Sequence, residues 1–93
     1  MATESPQEDV WIQPTLEVGS VYQHYKGSYY RILAVARHSE DLSPYVVYQA
    51  LEDSEEFGPQ PVWVRPLTMF IEVIEINGVE MPRFTLVPGM PKA

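Results

Sequence analysis

Residues 27–40 read Gly27-Ser28-Tyr29-Tyr30-Arg31-Ile32-Leu33-Ala34-Val35-Ala36-Arg37-His38-Ser39-Glu40. A Gly-Ser turn opens into Tyr29–Arg37, a run of aromatic, β-branched and small apolar residues that suits a long strand. Alternation puts Tyr30, Ile32, Ala34 and Ala36 on one face and Tyr29, Arg31, Leu33, Val35 and Arg37 on the other. Neither face is purely polar. The strand is therefore expected to bend, or to be covered on both sides.

The pattern extends in both directions. Val21–Tyr25 reads as a short strand, joined to the long one through a turn at Lys26-Gly27-Ser28. After a loop at Glu40–Pro44, Tyr45–Leu51 alternates again, with Val46, Tyr48 and Ala50 opposite Tyr45, Val47, Gln49 and Leu51. Residues 52–61 are acidic at first (EDSEE) and end Gly58-Pro59-Gln60-Pro61. That is long for a hairpin link, so a solvated, mobile loop is expected; the alternative is a lid or a partner-contacting tip. Val62–Arg65 is a short strand with Trp63 and Arg65 on one face. Pro66–Phe70 suits one helical turn, with Pro at its start. Ile71–Ile76 and Val79–Met81 flank Asn77-Gly78, a strong two-residue hairpin signal. That register sets Ile76 against Val79, Ile74 against Met81, and Glu75 unfavourably beside Glu80. Pro82 marks an edge or bulge, and Arg83–Val87 continues the strand.

Short strands, few helices and aromatic hairpins indicate an all-β fold. A small SH3-like barrel of five or six mainly antiparallel strands with one short helical turn fits best. An OB-like barrel fits less well, because it needs a longer helix between strands. The expected division is an acidic tail over 1–17, the barrel over 18–87 and a short tail over 88–93. Within the first tail, Trp11 and Ile12 are candidates for docking on the barrel or on a partner.

At 93 residues the chain is one small domain, and 45% hydrophobic content can supply its core. The absence of cysteine excludes disulfides and thiolate metal sites. No run of about 18 apolar residues exists to span a membrane. The first residues lack a basic-then-apolar pattern, so a cytoplasmic location is the expectation. A net charge of −7 opposes binding to nucleic-acid backbones. Yet Lys26, Arg31, Arg37, Arg65 and Arg83 lie in the folded middle, so a local basic patch fits within an acidic protein.

The segments HYKGSYYRILAVARHSE, YVVYQAL, WVRPLTMF and PRF, in this order and spacing, resemble a family of short bacterial proteins known as domain of unknown function 1653. The resemblance runs over about residues 18–86. It implies a small SH3-like barrel and brings no activity with it. The acidic EDSEEFGPQP segment looks longer than the family's usual link between these strands.

The chemistry-bearing residues point to binding more than to catalysis. His38, within Arg37-His38-Ser39-Glu40-Asp41, resembles a base with an orienting carboxylate, but such residues also cap turns. No Cys and no Gly-flanked Ser offers a nucleophile. His24 and His38 lack the spacing of a metal site, and no cofactor is expected. Tyr22, Tyr25, Tyr29, Tyr30, Tyr48, Trp63 and Phe70 divide between core and surface. Tyr30, Trp63 and Phe70 are expected in the core, and Tyr25 exposed. Arg37 and Arg65 end strands and would form a cationic notch if those ends met, unless each pairs with Glu40, Asp41 or Glu72. The candidate ligand site is thus Tyr25, Lys26, Arg37, His38 and Arg65, gathered at one rim. The favoured reading is a non-enzymatic module that contacts a protein segment or a small anionic ligand. The alternatives are a small enzyme using His38 with Arg37 or Arg65, and a nucleic-acid binder working through exposed aromatics.

Overall fold

The structure, a computed structural model, describes residues 16–91. The expectations for Trp11 and Ile12 lie outside the described residues. The described chain is all-β apart from one helical turn. Its elements are β1 (Val21–His24), β2 (Tyr29–Arg37), β3 (Pro44–Ala50), β4 (Val62–Pro66), α1 (Leu67–Phe70), β5 (Val73–Ile76), β6 (Val79–Pro82) and β7 (Phe84–Leu86). All pairings are antiparallel. Five strands form one sheet in the order β4-β3-β2-β1-β7, and β5 and β6 form a separate hairpin.

Seven strands replace the expected five or six. The extra one arises at Pro82-Arg83. Pro82 has no N–H to continue a ladder. Arg83 then gives its N–H to the Glu72 carbonyl (2.9 Å), while its own carbonyl accepts from the Tyr25 N–H (2.9 Å). The chain changes partners at this residue, and the stretch read as one strand becomes β6 and β7.

The long strand also departs from simple alternation. Its register with β3 shifts between Ile32 and Ala34. Leu33 is the extra residue of this β-bulge, and the two faces exchange beyond it. Val35, rather than Ala34, therefore joins Tyr30 and Ile32 against the core. The bend demanded by two apolar faces is this bulge.

The main core cluster consists of Leu16, Tyr22, Ile32, Val46, Tyr48, Leu67, Phe70 and Phe84, and Val21 is buried outside it. Each fully buried side chain of this kind contributes about 1.5–3 kcal/mol. Phe70 stacks flat on Phe84, with centroids 4.0 Å apart and planes 7° from parallel. Phe70 also meets the edges of Tyr22 and Tyr48 at 5.5 and 5.3 Å. This contact explains a helix of a single turn. Pro66 stands extended before it (φ −54°, ψ 139°) without a side-chain cap, so burial of Leu67 and Phe70 holds the turn in place.

In a flat five-stranded sheet β4 and β7 would stand about 19 Å apart, four spacings of ~4.8 Å. Here the Arg65 guanidinium of β4 lies 5.5 Å from the Phe84 ring of β7. The sheet is therefore rolled until its edges approach, although β4 and β7 form no ladder. No helix among the described residues is long and apolar enough to cross a membrane.

Candidate functional site at the mouth of the rolled sheet

Directly paired residues share a face of a sheet. The pairs Tyr22↔Tyr30, Tyr30↔Ala50, Ile32↔Tyr48, Tyr48↔Trp63, Val46↔Arg65 and His24↔Phe84 therefore define one inner face. Tyr22, Ile32, Val46, Tyr48 and Phe84 are its buried floor. His24, Tyr30, Trp63 and Arg65 point the same way but keep some exposure. The rolled sheet is thus open near the β1–β2 turn, and these four side chains line the opening. Trp63, expected in the core, is 36% exposed at this rim.

His24 is the centre of the opening. Its ring lies edge-on to Phe84 at 4.9 Å and tilted against Tyr25 at 4.5 Å. Its Nδ1 accepts the Lys26 N–H at 3.2 Å. Burial holds the imidazole below its ordinary pKa, and the positive charges of Arg65, Arg83 and Lys26, in that order, lower it further. Arg65 donates from Nε to the Tyr48 hydroxyl at 3.1 Å and lies against the Phe84 ring. Arg83 pairs with Glu72 at 3.0 Å, and its buried Nε has no hydrogen-bond partner among the described residues. The Lys26 ammonium stands 5.8 Å from the Tyr25 ring.

Tyr25, Lys26 and Arg65 therefore come together, and Tyr25 is half-buried rather than exposed. Arg37 and His38 lie at the other end of the nine-residue β2, roughly 25 Å along the strand. Arg37 donates to the Leu42 carbonyl at 3.0 Å. His38 accepts the Glu40 N–H on Nδ1 at 3.0 Å, with Asp41 3.5 Å from the same nitrogen. Asp41 is held below the usual carboxylate pKa by the backbone N–H and then the hydroxyl of Ser43, at 2.9 and 2.7 Å. Both histidines thus use Nδ1 to close a turn two residues on. Glu72, weighed as a partner for Arg37 or Arg65, goes to Arg83 instead.

Sequence reasoning missed His24 and Arg83. His24 was legible: it lies two residues after buried Tyr22, so alternation turns it inward. Arg83 had no such signal, because its position depends on the change of sheet after Pro82. Among the described residues no three His, Asp or Glu side chains gather as a metal site would require.

The comparisons bear on fold and kinship. Nothing matches among curated proteins. A crystal structure of a DUF1653 protein from Bordetella bronchiseptica is 31% identical and superposes with a TM-score of 0.67, covering 81% of this chain and 92% of that one. The family model described as "Protein of unknown function (DUF1653)" matches residues 20–86, which include every strand and the whole mouth. With that match across most of its length, the chain belongs to the DUF1653 family.

Proposed function

We propose that this protein is a non-enzymatic binding module that holds an anionic group, free or carried by a protein segment, at the mouth around His24. The observation that carries the reading is the gathering there of Lys26, Arg65 and Arg83, half of the six Lys and Arg residues of a chain with net charge −7. Only Glu72 offsets them by an ion pair among the described residues. Arg65 spends Nε on Tyr48 and meets no carboxylate within ion-pair distance there, so its terminal amino groups can fork onto a carboxylate or phosphate. Tyr25 and Phe84 keep the cations against low-dielectric walls, where their attraction for an anion is less screened than in open water. Fixed cations of this kind hold a ligand without a chemical step.

The test is an amide NMR titration with sodium sulfate against sodium chloride at matched ionic strength. Saturable shifts confined to residues 24–26, 65 and 83–84, and lost in Lys26→Gln/Arg65→Gln, are expected. Shifts that are linear, spread over the surface, or the same with chloride would overturn the reading.

A further inference from the structure

We propose that a second site, beside the first and of opposite charge, receives an organic cation, an alkylammonium or guanidinium group. It is the cavity of about 180 Å3 between Tyr30 and Trp63, rimmed by Glu52 and Asp53, with Ser28 and Ser54 alongside. A cavity of about 150 Å3 admits a benzene-sized molecule, so there is room here for one such head group.

The cavity follows from the register. Ala50 is the β3 partner of Tyr30, and its methyl group leaves unfilled the space a larger side chain would take. The 51–61 loop walls one side of that space, which stays partly open to solvent. Its acidic residues are exposed, as expected of a solvated loop, and the loop folds on itself. Ser54 and Gly58 exchange both backbone hydrogen bonds, at 2.8 and 2.9 Å. The Ser54 Oγ accepts the Glu56 and Phe57 N–H groups at 3.2 and 3.0 Å. Phe57 then meets the Trp63 indole edge-on at 4.9 Å, and Gln49 ties the loop exit by donating to the Gln60 carbonyl at 3.1 Å. Glu52 and Asp53 are thereby held at the rim of an aromatic pocket.

The sign of the ligand follows from what lines the cavity. Aromatic faces carry partial negative charge and attract cations, most strongly where water is excluded. The two carboxylates add full charges, and among the described residues no Lys, Arg or His side chain lies within ion-pair distance of either. Lys26 is not among the residues that line the cavity, and its ammonium stands 5.8 Å from the Tyr25 ring. An anion is repelled here and a neutral alkyl group gains nothing from the rim. An ammonium or guanidinium meets both the rings and the carboxylates.

The test uses the full chain and follows the Trp63 indole N–H by NMR, separated from that of Trp11 by Trp11→Phe. The probes are tetramethylammonium, n-butylammonium, N-acetylarginine amide, a Gly-Lys-Gly peptide with both ends blocked, and neutral n-pentanol. Saturable displacement by the cations and not by pentanol is expected, weakened about tenfold in Glu52→Gln/Asp53→Asn. Equal affinity for free and peptide-borne cations would identify a small-molecule amine as occupant. Binding of the peptide about tenfold tighter would identify a lysine or arginine side chain of a protein. An equal response to pentanol, an unchanged affinity in the double variant, or no saturable shift with any cation would overturn the proposal. Glu52 and Asp53 are exposed, so the double variant keeps its fold.

Discussion

Arg65 has two roles that substitution separates. It is the hydrogen-bond donor to the hydroxyl of buried Tyr48, and it is one of the charges that depress the His24 pKa. Arg65→Ala should cost about 1–3 kcal/mol in urea unfolding, because the hydroxyl loses its partner. The same change should let the His24 pKa climb toward 6.5, its ordinary value. Arg65→Lys restores the charge but not the Nε geometry, so it should keep the His24 pKa low while remaining less stable than the parent. Equal effects of Ala and Lys on both measurements would contradict this division of roles. Phe70→Ala should cost more, about 3–5 kcal/mol, since a stacked ring and two edge contacts disappear from the core. Phe70 was legible as core from its place on a short apolar turn. Trp63 was not: it lies on the same inner face, but at the open end of a rolled sheet. Alternation tells which way a side chain points and does not tell how far down the roll it sits.

At the scale of elements, the strand runs were legible and the irregularities that shape them were not. The hairpin at Asn77-Gly78 follows its dipeptide, with φ of 53° and 81°, both in the left-handed region. Its register brings Glu75 opposite Glu80, as the spacing predicted. Glu75→Lys should therefore stabilise the protein by roughly 0.2–1 kcal/mol, and an unchanged or lowered denaturation midpoint would contradict the pairing. Gly78→Ala should cost about 1 kcal/mol, because alanine is strained at that φ. A two-stranded hairpin apart from the main sheet is marginal by itself. Amides of β5 and β6 should accordingly exchange faster than those of β2 and β3, where each strand is paired on both sides. The bulge at Leu33 and the break at Arg83 escaped the sequence for a common reason. Each is a choice of hydrogen-bond partner made by distant segments, and neither demands a distinctive residue at the site itself. Pro82 gave warning of a break but not of where the chain would turn next.

For the whole molecule, the depressed pKa values of His24 and Asp41 lead to a pH dependence with two windows. His24 binds its proton less readily folded than unfolded. Its contribution is complete above about pH 6.5 and is lost as pH falls through the lowered folded pKa. Asp41 is also depressed, by the Ser43 hydrogen bonds, so its contribution holds above about 3.8 and is lost at still lower pH. Denaturation midpoints should thus decline once as pH drops below 6.5 and again under 3.8; in His24→Gln the first decline should vanish. An anion at the mouth acts oppositely on His24, because it favours the charged imidazole. By linkage, the anion should bind more tightly as the ring takes up its proton. The most direct measurement is therefore an NMR pH titration of the His24 ring, in dilute chloride and again with sulfate at the same ionic strength. A midpoint below 6.5 in chloride and a clear rise with sulfate are expected at His24. An unmoved His24 midpoint, or an equal movement at His38 on the far loop, would contradict an anion site at the mouth.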